Sequence, residues 1–307
     1  MTSLVIAVIG ATATGKSDLA LALAQRFGAE IINADAMQLY RGMDIGTAKL
    51  PPEERRGVPH HQLDVLDLSD DASVAAYQRD ARADVAAIHR RGSRAVVVGG
   101  SGLYVRALLD ELEFPGKDPA VRAALEDRAA AEGALSLHAE LAVRDPAAAI
   151  AIPAANARRV IRALEVIELT GRPFSATMPT YTYALPAVQI GLSMPLEDAD
   201  ARIGRRVDQM WSAGFVAEVR ALADRGLRDA RTASRAVGYA EVLAFLDGDW
   251  SAEAARDAIA TNTRRLARRQ LKWFRRDPRV TWLDARAGDL IDQAAAVISA
   301  ADLAVPR

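Results

Sequence analysis

Apolar positions open the chain as an unbroken run and then change period. Residues 4–9 (LVIAVI) carry no polar side chain and stop at Gly10, the pattern of a strand buried on both faces of a parallel sheet. Over residues 16–27 the spacing of Leu19, Leu23 and Phe27 predicts a helix. Residues 30–33 (EIIN) read as a second strand, 74–91 as a helix and 95–98 as a third strand. Strands that alternate with helices imply an α/β fold, a parallel sheet core flanked by helices.

Beyond Pro115 the texture changes. Residues 118–171 show only helical patterning, with Asp118-Pro119 and Asp145-Pro146 as helix starts, Asp capping and Pro in the first turn. Residues 172–186 read as a connecting loop, 187–194 as a strand, then come helices, a strand at 280–283 and a closing helix. The expected organisation is a catalytic core of residues 1–117 and 187–307, interrupted by an all-helical subdomain at 118–186.

Residues 10–17 spell GATATGKS between a predicted strand and a predicted helix, the context in which G-x-x-x-x-G-K-[ST] is a phosphate-binding loop (P-loop), the nucleotide- or ATP-binding motif. Gly10 and Gly15 permit the turn. The backbone N–H groups of Gly10, Ala11, Thr12, Ala13, Thr14 and Gly15 can converge on phosphate oxygens, Lys16 adds a positive charge, and Ser17 offers a hydroxyl to Mg2+. In a parallel sheet the ligand lies beyond the carboxyl ends of the strands. Asp35, after the second strand, and Gly99–Gly102, after the third, therefore share a cleft with the loop. The third strand ends in glycine where common nucleoside triphosphatases place a magnesium-binding Asp, so the loop lacks its usual hydrolytic partner.

The 307 residues contain no cysteine, which excludes disulfides, thiolate metal sites and a cysteine nucleophile. No apolar stretch is long enough for a membrane helix, so the expectation is a cytoplasmic protein with no membrane association. A net charge of −1 excludes a uniformly basic coat but not a local basic face. Arg158, Arg159 and Arg162 share one helical turn. Residues 263–276 hold seven cations and no acid, with Trp273 and Phe274 among them read as core residues. His60 and His61 read as structural or cleft-lining. Nothing demands a dimer, and a monomer is expected.

The motifs GATATGKS (10–17), DAMQLYRGMDIGTAK (35–49), PHHQLDV (59–65), GGSGLY (99–104), DPAVR (118–122), RRVIRALEVIELTGRP (158–173), RIGRRV (202–207), GFVAEV (214–219), RAVGYAE (235–241) and TRRLARRQLKWFRR (263–276) follow one another along nearly the whole chain. In this content and order the sequence resembles the bacterial tRNA dimethylallyltransferases, also called tRNA isopentenyltransferases. It departs from the family at Ala11 (usually Pro), Ser101 (usually Thr), Leu68 (often Pro) and Ala240 (often Lys). None of these removes a charge or hydroxyl from the chemical centre.

The resemblance implies a P-loop NTPase-like core that holds dimethylallyl diphosphate with Mg2+ and transfers its five-carbon group to the exocyclic amine of the adenine 3′-adjacent to the tRNA anticodon. It assigns catalysis to Asp35 (general base), Thr12 and Arg206. It assigns the donor diphosphate to residues 10–17 and Arg206. It assigns tRNA binding to Asp35, Ala36, Met37, Gln38, Ser101, Arg122, Arg158, Arg159, Val160, Ile161, Arg162, Arg235, Gly238 and Tyr239. Without the resemblance, two alternatives remain: a small-molecule or nucleotide kinase with the helical insertion as its lid, and a noncatalytic RNA-binding protein switched by a nucleotide.

Overall fold

The structure, a computed structural model, describes residues 4–177 and 181–304. It divides into two compact units, 1–109 with 183–307 and the intervening 110–182.

The larger unit is built on a parallel sheet of six strands: β1 (Val5–Gly10), β2 (Ala29–Asn33), β3 (His60–His61), β4 (Arg94–Gly99), β5 (Ala187–Ser193) and β6 (Val280–Asp284), in the order β3-β2-β4-β1-β5-β6. β1 lies between β4 and β5, and all six of its residues are buried. That is why it reads as a continuous apolar run: with helices on both faces, no position can be polar without leaving a polar group unsolvated. Each of its Val and Ile side chains contributes about 1.5–3 kcal/mol by leaving water. One helical layer includes α1 (Lys16–Phe27), whose Leu19, Leu21 and Leu23 pack with Ile6, Val8, Val96 and Ile190. β3 escaped the sequence reading because two residues cannot display a period. The strand at 95–98 is accordingly fourth in chain order. The helices that follow in the chain are α2 (Val74–Arg90) and α3 (Gly102–Leu109).

The smaller unit is helical: α4 (Pro119–Glu132), α5 (Ala134–Arg144), α6 (Pro146–Ala151) and α7 (Ala157–Thr170). Asp118 caps α4 by accepting from the N–H groups of Ala120 (2.8 Å) and Val121 (3.2 Å), and Asp145 caps α6 by accepting from Ala148 N–H (3.0 Å), with Pro at the first position of each helix. Leu125, Leu137, Leu141, Val160 and Leu164 form its own core. Its limits, 110 and 182, lie outside and inside those expected from the sequence, 118 and 186. The non-helical flank at 110–117 has no periodicity to mark it. At the other end, Tyr183 belongs to the larger unit: its hydroxyl accepts from Gln189 Nε2 of β5 at 2.9 Å.

After β5 the larger unit continues with α8 (Leu196–Ser212), α9 (Phe215–Ala223), α10 (Tyr239–Leu246), α11 (Ala252–Phe274) and α12 (Leu290–Ala304). Among the described residues no helix is long and apolar enough to cross a membrane.

Candidate active site

Strand register brings the candidate residues to one level. Ile9 of β1 pairs with Gly99 of β4, and Val98 of β4 pairs with Asn33 of β2, so three strands end side by side. The turn after β2 lies directly on the turn after β4. A Cβ on Gly99 would stand 2.3 Å from the Ala34 carbonyl oxygen, so no larger residue fits there. Ala34 N–H donates to Val98 O (2.7 Å) and Ser101 N–H to Ala34 O (3.3 Å), closing the two turns together.

The phosphate loop has the conformation its glycines predict. Gly10 has φ +143° and a Cβ there would meet Leu192 O at 2.7 Å; Gly15 has φ +87°. Ala13, at φ 64°, adopts the left-handed region without glycine's freedom. Thr14 Oγ1 (2.8 Å) and Lys16 Nζ (2.6 Å) both donate to Ala11 O, holding the loop closed around its own carbonyl. Burial pulls the Lys16 ammonium down to about 8, opposed by the charge of Asp35 and reinforced by that of Arg206. Ser17 is exposed and its hydroxyl has no hydrogen bond among the described residues. One free hydroxyl beside a phosphate cradle suits Mg2+, which takes few protein ligands and completes its shell with phosphate and water.

Asp35 is held by its neighbours. Its N–H donates to Asn33 Oδ1 (2.9 Å), and Asn33 Nδ2 donates back to Asp35 O (3.0 Å) and to Gln62 O (2.9 Å). The carboxylate accepts from Met37 N–H at 3.0 Å. Burial raises its pKa, while Met37 N–H, the Lys16 charge and Gln38 N–H pull the other way. Asp35, Thr12, Arg206 and Gln270 line one cavity of about 100 Å³, whose remaining wall includes Ile203, Val207, Met210, Phe215, Ile259 and Leu266. The partly buried Arg206 has no hydrogen bond or ion pair among the described residues, and burial lowers its pKa. A desolvated guanidinium without a partner is a receptor for an anion. The three residues assigned to catalysis thus meet in one cavity.

The residues assigned to RNA divide into distinct groups. Met37 and Gly238 line the cavity, and Ala36 N–H donates to Ser101 Oγ at 3.1 Å, which ties the turn after β2 to the turn after β4. Gln38, assigned to tRNA by the resemblance, instead has its Nε2 donating to Thr47 O (3.1 Å) and Ala48 O (3.4 Å), so that amide nitrogen is occupied with the backbone. Val160 (0% exposed), Ile161 (5%) and Tyr239 (0%) are core residues whose side chains are turned away from solvent. The first two lie on the buried face of α7, and Tyr239 OH donates to Glu218 Oε1 at 2.7 Å. Arg122 and Arg162 both pair with the buried Glu165 (3.5 and 2.8 Å), which gives them a structural duty. Arg158, Arg159 and Arg235 are exposed and carry no hydrogen bond or ion pair from their side chains among the described residues. On α11 Arg268 pairs with Asp200, whereas Arg264, Arg269 and Lys272 have no ion pair among the described residues. Phe274 is core as expected, but Trp273 is 39% exposed and lies against Gly102. Of the adjacent pair His60 and His61, His60 Nδ1 is 2.8 Å from Val58 O, and His61 Nε2 is 2.7 Å from Glu30 Oε2.

Three residues without an assigned role complete the site's frame. Glu218 accepts from the N–H groups of Asp44 (3.1 Å), Ile45 (2.6 Å) and Gly46 (3.2 Å), so a carboxylate fills the nest made by this turn. Lys49, buried, donates to Tyr40 O (2.9 Å), Asp44 Oδ1 (2.6 Å) and Asp64 Oδ1 (2.6 Å). The block at 35–49 is therefore a cross-linked support for Asp35. Gln270 Oε1 accepts from Thr12 N–H at 2.8 Å across 258 positions of sequence, a separation at which no local signal exists.

A phosphate-loop α/β core with a carboxylate and an unpaired arginine in the adjoining cavity defines a protein that handles a phosphorylated ligand. The family model for IPP transferase matches residues 38–277. The chain belongs to this family. It is 60% identical over 301 residues to a tRNA dimethylallyltransferase of Thermobifida fusca, covering 96% of this chain and 94% of that protein. Among solved structures, a tRNA isopentenylpyrophosphate transferase from Bacillus halodurans is 41% identical with a TM-score of 0.73, covering 98% of each chain. A eukaryotic dimethylallyltransferase acting on tRNA is 27% identical with a TM-score of 0.85, covering 99% of this chain and 80% of that one. None of these three relatives bears a kinase name, so they favour the prenyl-transfer reading over the kinase alternative.

Proposed function

We propose that this chain transfers a dimethylallyl group from dimethylallyl diphosphate to the exocyclic amine of the adenine 3′-adjacent to the tRNA anticodon, releasing diphosphate. The observation that carries it is the cavity in which Asp35, Thr12 and Arg206 meet. The C–N bond forms as the allylic C–O bond breaks, the electron pair of that bond leaves with the diphosphate, and the amine proton passes to Asp35. Burial of Asp35 raises its basicity, which suits a general base, a contribution of about 10²–10⁴-fold. Lys16, Arg206 and the loop N–H groups meet the charge that grows on the leaving diphosphate, where fixed donors contribute most. The Ser17 hydroxyl would hold Mg2+, which when bound would further neutralise that charge. The apolar wall from Ile203 to Leu266 excludes water from the allylic carbon.

The acceptor adenine must leave its stack to reach such a cavity, at a cost of a few kcal/mol. Arg158, Arg159, Arg235 and the unpaired cations of α11 supply phosphate contacts for the tRNA. The working unit is a single chain in the cytoplasm. Purified protein with dimethylallyl diphosphate, Mg2+ and unmodified tRNA should yield a prenylated adenosine by mass analysis of the nucleosides. Absence of that nucleoside, together with phosphoryl transfer from ATP to a small acceptor, would reinstate the kinase reading.

A further inference from the structure

We infer that Gln270 is a positioning residue for this transfer: its side-chain amide holds Thr12 so that the Thr12 hydroxyl faces the cavity it shares with Asp35. The inference rests on the proposed prenyl transfer and adds to it a residue from the far end of the chain.

One face of α11 lies on both turns that build the site. Ala267 is buried with Ala11, Ala13 and Ile203 against the phosphate loop. One turn further on, the Gln270 amide sits over the glycine turn, where a Cβ on Gly100 would stand 2.4 Å from Nε2. Trp273 covers Gly102, whose Cβ would stand 2.1 Å from the indole. From this seat Gln270 Oε1 accepts the Thr12 N–H at 2.8 Å. That N–H is thereby committed to protein and not to the phosphate cradle. The Thr12 hydroxyl has no hydrogen bond among the described residues and is left to the cavity.

An amide suits the position for two reasons. It is an acceptor for Thr12 without bringing negative charge toward a diphosphate, and it leaves Arg206 free for the donor. A positioning role acts on the reacting geometry more than on binding, since small displacements of reacting groups cost up to about 10²-fold in rate.

The test compares steady-state kinetics on tRNA for the wild type, Gln270→Ala, Thr12→Ala and the double variant, with thermal melts of each. Expected for Gln270→Ala is a kcat lower by about 10–100-fold, a donor KM within about threefold and an unchanged melt. In the Thr12→Ala background the same change should cost less than about threefold, because the hydroxyl it positions is gone. Gln270→Glu keeps the acceptor and should restore much of kcat while raising donor KM through charge repulsion. This variant decides the matter if Gln270→Ala melts early. Effects of Gln270→Ala and Thr12→Ala that multiply independently, or a kcat of Gln270→Ala near wild type, would overturn the inference. A wild type that makes no prenylated adenosine would overturn the proposed function instead.

Discussion

Lys16 of the phosphate loop and Asp35 after β2 are close enough that each favours the charged form of the other against the cost of burial. Burial still prevails on both: the ammonium is lowered to about 8 and the carboxyl is raised. A donor-binding cation and the assigned general base are thus both groups whose charge burial makes conditional.

A pH dependence follows. Asp35 works as the carboxylate, so activity rises with pH through its raised pKa, and the acid limb should lie above the ordinary aspartate range. Lys16 works as the ammonium, so activity falls as pH passes about 8. kcat/KM reports the free enzyme and should be bell-shaped, while the basic limb of kcat should move up, because bound diphosphate favours the ammonium. Lys16→Arg should remove the basic limb. A basic limb that stays near 8 in that variant would assign it to another group.

Arg206→Ala should reduce kcat/KM by at least about 10²-fold, as removal of one charge-stabilising donor commonly does. Arg206→Lys should recover only part, since it keeps the charge and loses the planar fork. Steady-state assays with varied dimethylallyl diphosphate would check this. An Arg206→Ala enzyme with wild-type donor kinetics would place the diphosphate elsewhere.

Lys49→Met should destabilise the larger unit by about 2–3 kcal/mol. The side chain is 3% exposed, but its partners Asp44 and Asp64 are 55% and 40% exposed, so water recovers part of what a fully buried pair would lose. Urea melts measure it. A change below about 0.5 kcal/mol would mean the turn at 40–64 holds without its cross-link.

Gly46→Ala should cost about 1–3 kcal/mol, because the added methyl would meet the Phe215 ring at 2.2 Å and the Tyr239 ring at 2.6 Å. Gly116→Ala is the control: nothing lies within 4 Å and φ is not positive, so the change should stay within about 0.5 kcal/mol. Equal melts for both variants would show that the rings yield without strain.

Much of the site was legible because its signals are local. The phosphate loop is eight consecutive residues between a strand and a helix, and the alternation of strands and helices placed Asp35 and the glycine turn at the same sheet edge. The residues assigned to RNA lie in different surroundings for a physical reason. Val160 follows the exposed Arg159, Ile161 precedes the half-buried Arg162 and Tyr239 follows the cavity-lining Gly238, but helix geometry turns the three side chains into the core. Gln38 has the right chemistry for a base edge, yet Thr47 and Ala48 reach its amide first. Arg162 pairs with the buried Glu165 one helical turn away on α7, and the fold brings Arg122 of α4 to the same carboxylate.

By itself the sequence determined the class of fold, the phosphate cradle and the residue types available for chemistry, since periodicity and short motifs are properties of neighbours along the chain. Only the tertiary structure decided that Thr12 is held by Gln270, that Glu218 fills the 44–46 turn and that Arg206, unpaired among the described residues, lines the same cavity as Asp35. Those relationships join residues far apart in sequence, and side-chain direction, burial and the competition for hydrogen-bond partners exist only once the helices have packed on the sheet.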